Sequence, residues 1–318
     1  MKNLILGIAT ARKPNLVDNL IMQEGAIYTL LGNIIPESIR KSGVDGDAII
    51  DTNPIKLSIF KVISLCVTCI FHRRIVINSY YLGPWFSSLG HFLIESITRI
   101  NSKMLSQKAK WVFHTMDGSP LHQQIFPYQE KLLSIIGVRK DRILLLIDKP
   151  YLLLNTSIVI ENAIFPKELK SSALEVIHLV KASNNSNTDF GDRVYLSRQK
   201  LPKSQRRLPD DLSVFLENLF KSCGFQIIHP QELEILDQIS AVSKARYIAG
   251  PQGSALHLSI FCESGTKIFE IGDEIQTIYP NTQQKIICNL LNQDFYFFPY
   301  DVDKKTFDFE FMKTSINS

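Results

Sequence analysis

RYIAGPQGSALHLSIF, residues 246–261, joins a buried strand (246–249) to a helix (254–262) through the loop Gly250-Pro251-Gln252-Gly253. In an open α/β sheet, ligands sit at the carboxyl ends of strands, where such a loop lies. Glycines let the backbone approach an anion closely, and a helix N-terminus, here expected to be capped by Ser254, adds unpaired N–H groups. The loop lacks the Lys-Ser/Thr of a P-loop and the spacing of a dinucleotide fingerprint. Taken alone, an ordinary strand-to-helix turn is the simpler reading.

Strands and helices alternate on both sides of this stretch. Upstream, 194–196 reads as a strand, 212–223 as a helix stopped by Gly224, 225–229 as a strand and 233–244 as a helix. Downstream, 267–271 is strand-like and 283–291 helical. Short strands alternating with helices imply a parallel sheet covered on both faces. The stretch ASNNSNTDF, residues 182–190, is small, polar and aperiodic, as a linker is. Before it, strand-like runs at 49–50, 62–70, 75–78, 111–113 and 142–147 alternate with helical ones at 92–105, 129–136 and 167–181. The expected organisation is α/β with two Rossmann-like domains, residues 1–181 and 191–300, a linker at 182–190 and a tail at 301–318.

The chain has 318 residues, enough for about two domains. With 45% apolar residues it can bury a core, which excludes disorder. A net charge of +4 is too mild to imply nucleic-acid binding. Five cysteines are too few and odd in number for a disulfide framework, which points to a reducing compartment. The most apolar window, 55–77, is broken by Lys56, Lys61, His72, Arg73 and Arg74, and suits buried strands better than a membrane span. A cytoplasmic protein is expected. A pI near 8.7 leaves room for peripheral attachment to the inner face of a membrane.

Three further segments carry chemistry. RVYLSRQKLPKSQRR, residues 193–207, brings Ser197 and Arg198 to the carboxyl edge of a strand, followed by a loop bearing Lys200, Lys203, Arg206 and Arg207. The planar fork of arginine suits phosphate oxygens; a solvated basic loop is the plainer alternative. Glu270, in KIFEIGD, ends the next strand, where a carboxylate accepts hydrogen bonds from a ribose or pairs with a nearby cation. His91 and Glu95, four apart on one helical face, suit a general base with its orienting carboxylate, and equally a structural pair.

Other matches are set aside. Cys66 and Cys69 form a lone C-x-x-C, and Asp45/Asp47 and Asp301/Asp303 are chance-level Asp-x-Asp pairs. His114, His122, His178 and His229 lack metal-ligand spacing, and no Gly-x-Ser-x-Gly elbow occurs.

Together, Gly90 to Glu95, Arg193 to Arg198 with Arg207, Gly250 to Leu256, and Phe269-Glu270 resemble the family 61 glycosyltransferases, a group that includes bacterial capsular polysaccharide biosynthesis proteins. The likeness covers roughly residues 72–272. In this chain Gln252 replaces the family's loop histidine, Leu258 an Asn usual just after the loop, and the region of Ser88 an Asn common before Gly-His. Gln252 keeps a donor but cannot titrate. The resemblance implies a two-domain GT-B fold around a central cleft and a nucleotide-sugar donor, a UDP-sugar being the first expectation. It also implies a glycan acceptor, inversion at the anomeric carbon, and neither cofactor nor metal.

On that basis Ser197, Arg198, Arg207, Gly250, Gln252, Gly253 and Ser254 are expected at the donor diphosphate and Glu270 at the ribose. His91 or Glu95 is the expected base. The departures near the loop keep a second reading open, a non-catalytic glycan- or nucleotide-binding module on the same scaffold.

Overall fold

The computed structural model describes residues 7–10, 26–28, 34–35, 57–100, 108–115, 124–146, 149–158, 171–184, 189–273, 279–301 and 303–317. The expected strand at 49–50 and the pair Asp45/Asp47 lie outside them. The chain forms two compact units, Met1–Val176 and Ile177–Ser318.

In the first unit the described strands are β1 (Gly7–Thr10), β2 (Ala26–Tyr28), β3 (Ile34–Ile35), β4 (Ile75–Trp85), β5 (Lys110–Thr115), β6 (Ile143–Leu146) and β7 (Tyr151–Ile158). They form one sheet in the order β3-β2-β1-β7-β4-β5-β6. Strands β4 to β7 are parallel to their neighbours among themselves, whereas β1, β2 and β3 add antiparallel. Helix α2 (Pro127–Ile135) starts with proline in its first turn, where the missing N–H is not needed.

The strand expected over 62–70 is instead a helix, α1 (Ile59–Phe71). Ser58 caps it by accepting a hydrogen bond from the Lys61 amide at 3.3 Å. Helical spacing gathers Val62, Leu65, Cys66 and Cys69 against Leu152 and Leu154 of β7. That contact outweighs the strand preference of the β-branched residues. The helix expected over 92–105 also differs as far as residue 100, and 101–105 lie outside the described residues. A single α-turn, Leu89–His91, passes into a π-turn, Phe92–Ser96, then a 3-10 turn, Ile97–Arg99.

Helix α3 (Ser171–Ala182) crosses the boundary between the units. In the second unit, β8 (Arg193–Leu196), β9 (Gln226–Ile228), β10 (Tyr247–Pro251), β11 (Lys267–Ile271) and β12 (Asp294–Phe298) alternate with α4 (Asp210–Ser222), α5 (Ile235–Ser243) and α6 (Thr282–Leu290). The sheet is wholly parallel, ordered β12-β11-β10-β8-β9. The chain winds from β8 to one edge and from β10 to the other, so the order reverses between β8 and β10. In doubly wound sheets that reversal opens a crevice at the carboxyl ends.

The C-terminal segment completes the core of this unit. Met312 and Ile316 of helix α7 (Phe309–Asn317) are fully buried with Tyr195, Phe220, Phe269 and Phe298.

Candidate active site

Strands β8 and β10, the pair flanking the reversal, deliver the basic segment and the glycine loop to the same edge. They approach so closely at Gly250 that a Cβ there would lie 2.8 Å from the carbonyl oxygen of Leu196. Gly253 has φ +144°, and a Cβ on it would lie 2.1 Å from Nη1 of Arg198. The Arg198 guanidinium therefore rests on the loop at Gly253, where there is no side chain.

Arg198 Nη2 donates to the Gln205 carbonyl at 2.8 Å, and its buried Nε has no hydrogen-bond partner among the described residues. Arg207 Nη1 donates to Oδ2 of the fully buried Asp273 at 3.1 Å. A small pocket is lined by Ser197, Arg198, Arg206, Arg207 and Pro251. Burial, then repulsion from Arg207, holds the Arg198 pKa below its usual value, with Asp273 partly opposing. Two cations thus share one carboxylate, and an anion entering the pocket would relieve both penalties on Arg198.

The other basic side chains of the loop have surface partners. Lys200 pairs with Glu232 at 2.6 Å, and Arg206 with Asp210 at 2.7 Å. Ser197 donates its hydroxyl to Glu217 and accepts from the Gln199 amide, so it stabilises the turn that aims Arg198. Ser254 does not cap a helix as expected. The following turn is a short 3-10 segment, Leu256–Phe261, with Ala255 at its cap position and no side-chain bond there. Little dipole is available from so short a helix, and the positive potential comes chiefly from the arginines.

Gln252 of the loop and Glu270 of β11 are fully buried. Gln252 Nε2 donates to Glu270 Oε1 at 2.9 Å and to the Tyr279 carbonyl at 3.1 Å. The Asn281 amide donates to the same Glu270 oxygen at 2.6 Å. Burial pushes the Glu270 pKa up to about 7 against these bonds, and its Oε2 lacks a hydrogen-bond partner among the described residues.

In the first unit, His91 and Glu95 meet at the carboxyl end of β4. His91 Nδ1 lies 2.6 Å from Glu95 Oε1, with the imidazole 34% exposed and the carboxylate 1%. The imidazole stacks on Phe86 at 4.9 Å. A carboxylate at Nδ1 fixes the proton there and leaves Nε2 as the basic nitrogen. Such π-turns recur at functional sites. Ser96 Oγ donates to the Pro84 carbonyl at 3.0 Å, and from α2 Gln129 and Tyr128 donate to the carbonyls of Phe86 and Ser87 at 2.7 Å each, pinning the loop before the pair.

Several of these residues escaped the sequence reading. Asp273, the anchor of Arg207, ends the KIFEIGD stretch, but nothing local shows that it reaches a residue 66 positions away. Gln129 and Tyr128 follow Pro127, a helix-start signal, but nothing local shows which carbonyls they reach. His114, set aside earlier, is buried at the end of β5 and hydrogen-bonded through Nδ1 to the Tyr81 hydroxyl. Burial and the Arg99 charge pull its pKa down to about 3, which keeps it neutral. Among the described residues, no group of three or more His, Cys, Asp or Glu is arranged to hold a metal ion. Asp301 pairs with Lys304 at 3.1 Å.

No curated protein matches the chain. The glycosyltransferase 61 family profile, by contrast, matches residues 89–269, more than half of it. That span begins just before His91, contains both arginines and the glycine loop, and ends one residue short of Glu270. The chain therefore belongs to the glycosyltransferase 61 family, and its activity is that of a glycosyltransferase.

Proposed function

We propose that this glycosyltransferase moves a sugar from a nucleotide-diphosphate donor, first of all a UDP-sugar, to a hydroxyl of a surface polysaccharide or glycan. In this reading it inverts the anomeric carbon, needs no metal and has a GT-B architecture. The observation that carries it is the seating of Arg198 on Gly253, with Arg207 alongside, at the point where the order of the second sheet reverses.

Cleavage of the bond between the anomeric carbon and the diphosphate leaves negative charge on the departing phosphate. Fixed donors lower that barrier because they need no reorganisation as the charge develops. Arg198, Arg207 and the amides of Gly253 and Ser254 are the donors assigned here. On the acceptor side, His91 Nε2 takes the hydroxyl proton, and Glu95 stabilises the imidazolium that forms. Glu270 and Gln252 hold the floor of the loop, close to where a ribose follows the diphosphate. Five free thiols fit a cytoplasmic location.

Arg198→Ala is the test. Turnover of a donor chosen from a thermal-shift panel of sugar nucleotides is expected to fall about a hundredfold or more, the usual effect of removing one such donor group. A loss of only a few-fold overturns the diphosphate assignment. Activity retained in excess chelator is the expected outcome for the metal-independent mechanism, and abolition there overturns it.

A further inference from the structure

We propose that the outer face of α1, with the strip of sheet beside it, docks on an anionic lipid surface. The helix buries one side on Leu152 and Leu154. Its other side carries Phe60, Ile63, Val67, Ile70 and Phe71, exposed by 81%, 54%, 59%, 57% and 81%. These positions recur at helical spacing, so they form one stripe. Ile75 and Ile77 extend it. They pair in register with Leu152 and Leu154, which puts them on the same face of the sheet that α1 covers, and they are 38% and 57% exposed. A soluble monomer rarely leaves so continuous an apolar surface in water.

Charge decides between occupants. Residues 57–78 contain Lys61, His72, Arg73 and Arg74 and no acidic residue at all. Lys61 and Arg73 are exposed at opposite ends of the stripe. A second copy packed on a two-fold axis would bring this unrelieved positive surface against itself. Anionic headgroups complement it, while the phenylalanines enter the acyl boundary. At about 1.5 Å per residue the 13-residue helix is about 20 Å long, too short to cross a bilayer, so it lies in the interfacial plane. No helix among the described residues is long and apolar enough to cross. The segment also lies outside the span matched by the family profile, apart from the groups assigned to catalysis.

The full chain is sedimented with phosphatidylcholine vesicles, with and without phosphatidylglycerol, at low and high salt. Binding is expected to the phosphatidylglycerol vesicles and to weaken as salt rises. The Phe60→Ser/Phe71→Ser double variant is expected to lower the partition coefficient about tenfold or more. Lys61→Glu is expected to reduce the gain from phosphatidylglycerol, with donor turnover in solution unchanged. Both phenylalanines are exposed, so the double variant should fold.

Failure of the wild-type chain to bind the anionic vesicles overturns the proposal, as does equal binding by the double variant. In the absence of vesicle binding, a wild-type dimer that the double variant dissolves assigns the face to a second copy. A melting temperature lowered in the variant, again without binding, assigns it to other residues of the same chain.

Discussion

The two units place their polar groups at the carboxyl edges of their sheets by different means. In the second, the cations are fixed by long-range architecture: Arg198 sits on Gly253, in the loop after the neighbouring strand β10, and Arg207 on a carboxylate 66 residues away. In the first, the imidazole and its carboxylate belong to one stretch of chain, Leu89–Ser96, whose backbone slips from an α-turn into a π-turn. The contrast fits their proposed chemistry. Stabilising a developing charge rewards groups that cannot relax, whereas a base must exchange protons with an incoming hydroxyl. The helix N-terminus expected after the glycine loop has little part, since that helix is a short 3-10 turn.

The sharpest way to break this contrast is to disturb the seat rather than the cation. In Gly253→Ala the new methyl would lie 2.1 Å from Nη1 of Arg198, and the backbone would hold a positive φ that alanine disfavours. Loss of donor turnover is expected to match that of Arg198→Ala, about a hundredfold or more, while circular dichroism shows a folded chain. Near-normal turnover would mean that the guanidinium acts from elsewhere.

The pair in the first unit should respond differently. For His91→Ala a loss of about a hundredfold is expected, at the lower end for a general base. Glu95→Gln, which keeps an acceptor for Nδ1–H but removes the charge, should lose less. The opposite ranking would make Glu95 the base.

The second unit was the more legible from its sequence because its strands are short, punctuated by Gly224 and Gly250, and separated by helices of ordinary length. Even so, β12 was not read as a strand, and the core role of Met312 and Ile316 was hidden in a charged, aromatic tail. The run at 62–70 misled for a physical reason. Its apolar residues lie on both sides of α1, so no helical period stands out, and β-branched side chains lend it a strand-like composition. Only the packing on Leu152 and Leu154 settles it. His91 and Glu95 were visible through their spacing because they are local. Asp273 was not, since a partner so distant in sequence leaves no local pattern.

The smallest expected effect sharpens the account of the loop floor. Glu270 has a folded pKa of about 7 against an ordinary 4.5, raised by burial. Between those values the folded chain binds a proton that the unfolded chain has released, so stability falls as pH rises through this window. It levels off above about 7. The difference is worth between about 3 and 4 kcal/mol at most, as one pKa unit is about 1.4 kcal/mol. Glu270→Gln preserves an acceptor for the Gln252 and Asn281 donors but cannot ionise. Its melting temperature is therefore expected to match the wild type near pH 4.5 and exceed it by several degrees at pH 8. Parallel curves across the window would mean that the carboxyl is charged throughout, its Oε2 solvated by water entering beneath the loop. In that case water reaches the floor of the loop, and charges near it act in a weaker field than they would in a dry interior.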